Sequence, residues 1–107
     1  LKQLIIRGGV KIAPDEIEAV LVKHPAIAEA CVMGFRDPTL GERVCAVIVR
    51  RAGAEPVTLD SVRQLFREHG MAVFKWPERI RETDALPRNA LGKVVRAELQ
   101  ALAEQPE

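Results

Sequence analysis

Residues 27–50, IAEACVMGFRDPTLGERVCAVIVR, decide the fold. Ile27 to Phe35 has the composition of an extended segment, Asp37-Pro38-Thr39-Leu40-Gly41 carries turn chemistry, and Val44 to Arg50 is dense in β-branched residues. Two strands joined by a loop are therefore expected here. Cys31 and Cys45 both lie inside these apolar runs, where cysteine behaves as a small buried hydrophobe rather than as a bridge or a ligand. Two cysteines make no disulfide framework, and this usage fits a reducing, cytoplasmic setting.

Toward the N-terminus, Leu4 to Ile6 and Val10 to Ile12 are short β-prone runs around Gly8-Gly9, which predicts a small hairpin. Pro14 suits the first turn of a helix, and Asp15 and Glu16 complement its dipole. Ile17, Val20 and Leu21 recur at helical spacing until His24-Pro25, so residues 14–24 are expected to be helical. Toward the C-terminus, Thr58 is a good N-cap, and Val62, Leu65, Phe66 and His69 give the apolar face of a second helix over residues 59–69. Met71 to Trp76 is short and stops at Pro77, Arg79 to Glu82 reads as a third strand, and LPRNALG as an ordered loop. A last helix is expected over roughly Val94 to Ala103, with residues 104–107 fraying. The sum is an α+β domain: an N-terminal β-hairpin leading into a sheet of about three strands, covered by two to three helices.

A chain of 107 residues that is 48% hydrophobic has room for one domain and one modest core. Sixteen basic residues against 15 acidic ones leave a net charge of +1, which provides no field to hold nucleic acid or an anionic membrane surface. No apolar run approaches the length of a membrane span, and LKQLIIRGG lacks the layout of a signal peptide. The chain has no initiator methionine and opens on what reads as the end of a strand, as expected of a fragment of something longer.

The usual catalytic constellations are missing from the sequence: there is no nucleophile elbow, no GxxxxGK[ST], no metal-ligand cluster of Cys or His, and no tyrosine. His24 and His69 each close a predicted helix, where an imidazolium would complement the dipole. FREHGMAVFKW reads as core packing with a solvated face. Two glycine-marked loops remain, Ile6-Arg7-Gly8-Gly9-Val10-Lys11-Ile12 and Pro87-Arg88-Asn89-Ala90-Leu91-Gly92-Lys93. A hairpin turn alone accounts for the first and a surface charge for the second. Equally, paired glycines let a backbone approach a ligand closely, and an ammonium can bridge two oxygens on which negative charge builds.

Taken together, the two loops resemble the C-terminal domain of the adenylate-forming superfamily: acyl- and aryl-CoA synthetases, adenylation domains of nonribosomal peptide synthetases, and firefly luciferase. LKQLIIRGGVKIAPDEIEAVL is similar to the family's hinge and glycine loop, and HPAIAEACVMGFRDPTLGERVCAVIV to the strand, D-P turn, G-E and strand that follow. FKWPERIRETDALPRNALGKVVRAEL is similar to the closing segment, with its P-x4-G-K and a helix rich in Arg and Leu. IAPDEIE and GMAVFKWPERI look more like CoA ligases than like peptide-synthetase adenylation domains.

The resemblance implies residues 1–12 as a hinge and glycine-loop hairpin and residues 13–107 as the mobile lid of a larger enzyme, whose N-terminal domain is its partner. It implies an ATP-dependent acid:CoA ligase: a fatty, alicyclic or aromatic carboxylate attacks the α-phosphate of ATP, releasing pyrophosphate, and the thiol of CoA then displaces AMP. Mg2+ is implied by that chemistry, with no ligand for it visible in this sequence. Lys93 would be catalytic in the adenylation step, Lys2 the hinge, and Gly8 and Gly9 the backbone that leaves room for the pantetheine arm. Lys93 also falls where lysine acetyltransferases silence such enzymes. Gln3 stands where the family carries an acidic residue, and Val10 and Lys11 where many CoA ligases have an aromatic residue or Asn. Arg7, Lys11 and Lys75 are the cations available for CoA phosphates, none of them singled out. A domain loading a carrier protein, and a binding module without catalysis, are the alternatives.

Overall fold

The computed structural model describes residues 3–106. Strands β1 (Ile5–Arg7) and β2 (Val10–Ile12) form the expected hairpin, and helix α1 (Pro14–Leu21) follows with Pro14 in its first turn. The long strands β3 (Ile27–Asp37) and β4 (Gly41–Arg50) pair antiparallel along almost their whole length, with Asp37 opposite Gly41. After helix α2 (Leu59–Glu68), strand β5 (Arg79–Glu82) runs parallel to β4, and a 3-10 turn (Arg96–Leu99) leads into α3 (Gln100–Glu104). The α+β class is as the sequence predicts. The sheet, however, has five strands, because the hairpin joins it by pairing Arg7 with Gly41.

Alternation along β3 and β4 sorts their side chains onto two buried faces. Val32, Val44, Ala46 and Ile48 meet Ile17, Val20 and Leu21 of α1 and Val62 and Phe66 of α2. Cys31, Met33, Phe35, Cys45 and Val47 meet Leu86, Leu99 and Ala103 of the C-terminal segment. A sheet covered on both sides explains why both strands read as continuous apolar runs. Both cysteines are buried, as expected, and burial pushes the Cys31 thiol up.

Four expectations are corrected. Helical geometry is not resumed at Val94: Val94 pairs with Arg88, the Val95 amide donates to the Pro87 carbonyl, and the 3-10 turn starts only at Arg96. The β-branched pair Val94-Val95 stays extended because its backbone is used to close the preceding loop. Glu104 does not fray; its carboxylate accepts the Arg36 amide at 3.1 Å and the Gln100 side-chain amide at 2.8 Å. His24 lies beyond the end of α1 and is not an imidazolium: its Nδ1 accepts the Ala26 amide at 3.1 Å, its Nε2 meets the Ser61 hydroxyl at 3.0 Å, and burial lowers its pKa. Val73 and Phe74 are exposed, whereas Phe66, Met71 and Trp76 pack on the core as expected. His69 does sit at the end of α2, where its Nδ1 donates to the Leu65 carbonyl at 2.9 Å.

The outer edge of β3, which would otherwise offer unpaired backbone to another chain, is occupied by side chains. The Val32 amide donates to Glu18 at 2.7 Å, the Val32 carbonyl accepts from Arg96 at 3.3 Å, and the Gly34 carbonyl accepts from Gln100 at 3.1 Å. Among the described residues no helix is long and apolar enough to cross a membrane. Phe66 is wholly buried between α2 and the sheet. Phe66→Ala should cost roughly 3–5 kcal/mol of stability, read as a lower urea midpoint; a loss under about 1 kcal/mol would contradict this packing.

Candidate functional site

Lys93 ends a five-residue turn that is built almost entirely from hydrogen bonds. The Asn89 side-chain oxygen accepts the amides of Leu91 at 2.9 Å and Lys93 at 3.0 Å, while the Asn89 amide donates to the Lys93 carbonyl at 2.9 Å. Gly92, with φ +82, donates its amide to the Asn89 carbonyl at 2.9 Å; this left-handed conformation is the one that L side chains resist. Arg88 holds the turn from below, donating to the Gly92 carbonyl at 2.8 Å and to Glu29 of β3 at 2.7 Å.

Past the turn, Arg96 fixes the chain a second time. Its guanidinium donates to Glu18 of α1 at 2.7 Å, the same carboxylate oxygen that takes the Val32 amide. A cleft of about 610 Å³ opens between α1, β3 and this segment, with Gln3, Asp15, Glu18, Cys31, Lys93 and Arg96 in its wall. Lys93 is exposed, and its ammonium has no ion-pair partner among the described residues. The site therefore presents the Lys93 ammonium, free among the described residues, on a fixed backbone beside a cleft.

The glycine loop is a separate feature. Gly8 and Gly9 have φ +57 and +84, the positive pair that a two-residue hairpin of the primed type demands. The Gly8 amide donates to the Leu40 carbonyl at 2.8 Å, and a Cβ on Gly8 would come within 3.2 Å of the Leu40 side chain. A Cβ on Gly9 would meet nothing within 4 Å, so that backbone faces open space. Neither glycine belongs to the wall of the Lys93 cleft. Lys2 lies outside the described residues, although its neighbour Gln3 lines that cleft.

A charge network ties the glycine turn to the D-P turn. Arg7 grips Glu78 through two hydrogen bonds of 3.0 and 3.1 Å, and Arg43 reaches Glu78 at 2.7 Å and Asp37 at 2.6 Å. Burial acts to raise the Glu78 carboxyl, but the bonds from Arg7, Arg43 and the Val44 amide outweigh it and hold it below its ordinary value. The Arg43 guanidinium, with the Leu40 and Thr39 amides, lowers Asp37 as well. Lys75 is paired with Glu16 at 2.6 Å. Of the three cations available for CoA phosphates, two are thus engaged internally, and Lys11 is exposed. Among the described residues no group of three or more His, Cys, Asp or Glu side chains could hold a metal ion.

Sequence reasoning found Lys93 and the glycine pair but not the residues that hold Lys93: Asn89, Arg88, Glu29, Glu18 and Arg96. The available signal was Asn89 placed three residues before a glycine, a spacing suited to a side chain that caps its own turn.

An α+β domain with a glycine hairpin at one end and a fixed lysine, unpaired among the described residues, near the other defines the class of domain. The chain belongs to the family described as the AMP-binding enzyme C-terminal domain, whose model matches residues 16–93. It is 42% identical over 99 residues to enterobactin synthase component E of Escherichia coli K12, covering 92% of this chain and 18% of that protein. It is 40% identical over 93 residues to the medium-chain fatty-acid–CoA ligase of the same organism, covering 87% and 16%. The fold matches that of o-succinylbenzoate CoA synthetase from Bacillus subtilis, in a double mutant bound to a product analogue, with a TM-score of 0.84 and 38% identity over 94% of this chain and 20% of that one. The chain thus spans a fifth or less of the length of these relatives.

Because both carboxyls lie below their ordinary values in the folded state, the stability they contribute is present above the unfolded values near pH 4 and lost as pH falls through the lower folded ones. The stability of the 107-residue chain should therefore decline below about pH 4, and an Asp37→Asn, Glu78→Gln pair should flatten that decline in denaturant titrations at stepped pH. An unchanged slope would contradict the network's role.

Proposed function

We propose that this domain is the mobile lid of an ATP-dependent acid:CoA ligase, acting on a fatty, alicyclic or aromatic acid in the cytoplasm. The observation that carries the reading is Lys93: an unpaired ammonium on a turn fixed at both ends, at the mouth of a cleft. Family membership and the likeness to CoA ligases support it. Residues 1–12 act as hinge and glycine loop and residues 13–107 as the body that swings.

In the adenylation step a carboxylate oxygen attacks the α-phosphorus of ATP and pyrophosphate leaves. Lys93 contributes a compact positive charge shared between the carboxylate and α-phosphate oxygens, where charge shifts between them. In the second step the thiol sulfur attacks the acyl carbon and AMP leaves. The open backbone at Gly9 would then lie along the pantetheine arm, since no side chain projects there. Binding of ATP and Mg2+ falls to the large domain, and no step is assigned to a metal held here.

The engaged state of Arg7 and Lys75 favours a second reading, in which the thiol is borne by a carrier protein and no nucleotide phosphates need be met. A carrier-protein sequence adjoining this domain in the full chain would favour it; a non-catalytic module would leave an exposed, braced Lys93 without purpose.

In the full-length enzyme Lys93→Ala should slow acyl-adenylate formation by about two orders of magnitude or more, leaving thioester formation from supplied acyl-adenylate largely intact. Lys93→Gln, which mimics the acetyl-lysine left by an acetyltransferase, should do the same. Equal loss in both half-reactions would refute the division of roles. Lys2→Pro should trap one pose and change the ratio of the two half-reaction rates; an unchanged ratio would place the hinge elsewhere.

A further inference from the structure

The Lys93 turn lacks the burial that usually stabilises a loop. Leu91, its one large apolar residue, is 84% exposed. At its tip one side-chain oxygen gathers two amides, because the Asn89 oxygen receives both the Leu91 and the Lys93 amides. The Asn89 amide donates to the Lys93 carbonyl and the Asn89 carbonyl accepts the Gly92 amide as well, so both backbone groups of Lys93 terminate on this one residue.

Beneath it, Arg88 is joined to Glu29, and beyond it Arg96 is joined to Glu18 and to the Val32 carbonyl. These anchors fix the base of the turn to β3 and α1, and Arg88 also donates to the Gly92 carbonyl. Asn89 is the residue that bonds both the amide and the carbonyl of Lys93 itself. A lysine carries four rotatable side-chain bonds and searches a wide volume, so its effective concentration at an anion depends on how well its Cα is placed.

We propose that Asn89 is a positioning residue: its side-chain oxygen sets the backbone of Lys93 so that the ammonium reaches the reacting oxygens in the adenylation step. The inference rests on the catalytic reading of Lys93. It assigns Asn89 no contact with substrate.

The test is a double-mutant cycle in the full-length enzyme, with adenylation and thioester formation measured separately. Asn89→Ala should slow adenylation by about ten- to a hundredfold and leave thioester formation from supplied acyl-adenylate unchanged, which also reports that the variant is folded. On the Lys93→Ala background the same substitution should cost nothing further, because Asn89 acts only through Lys93. Wild-type adenylation by Asn89→Ala, equal loss in both half-reactions, or an additive loss on the Lys93→Ala background would each overturn the proposal. If Lys93→Ala itself leaves adenylation intact, the catalytic reading of Lys93 fails first, and the two failures are told apart.

Discussion

Strand β4 is bonded along both edges and buried on both faces, and the rest of the domain takes its place from that constraint. One edge pairs with β3 over nearly its full length; the other is shared by the hairpin at Gly41 and by β5 from Cys45 to Ile48. Its alternating side chains need two separate covers, α1 with α2 on one side and the C-terminal segment on the other. The second cover carries the candidate site, because a segment that must pack Leu86, Leu99 and Ala103 on the sheet has to carry Lys93 past the edge of β3 on its way.

That passage does two things at once. Arg96 and Gln100 satisfy β3's outer backbone, which protects the edge. Arg96 also anchors the chain just past the Lys93 turn through Glu18, so edge protection and the placing of that turn share a residue. At the far end of the sheet, Arg7, Arg43, Glu78 and Asp37 hold the glycine turn against the D-P turn. Exposed ion pairs contribute little each, but a connected set with two-pronged geometry fixes a register. The domain thus presents two stiff loops rather than one active site, which suits a body that serves two steps by changing which loop faces its partner.

Much of this was legible in the sequence because the signals were local. β-branched density marked β4, Pro14 and the acidic first turn marked α1, Thr58 marked α2, and the glycine pair marked the hairpin. Failures occurred where tertiary contacts set the outcome. Val94 and Val95 have no periodicity that forbids a helix, yet Val94 pairs with Arg88 and the Val95 amide donates to the Pro87 carbonyl. The burial that lowers the His24 pKa comes from tertiary packing, with Ser61, 37 residues away, against its Nε2, and the order of Glu104 depends on Arg36, 68 away. For the site, Lys93 was visible through its motif, whereas the carboxylates that brace its neighbours, Glu18 and Glu29, lie on other elements and have no local signature.

The central claim is that the Lys93 turn is formed within this domain before any partner closes on it. Amide hydrogen exchange of the isolated 107-residue chain by NMR tests it directly. The Leu91 and Lys93 amides, which donate to Asn89, should exchange measurably more slowly than the Ala90 amide, which has no such bond among the described residues. Exchange of all three at the rate of an unstructured peptide would contradict the account and mean that the turn forms only on contact.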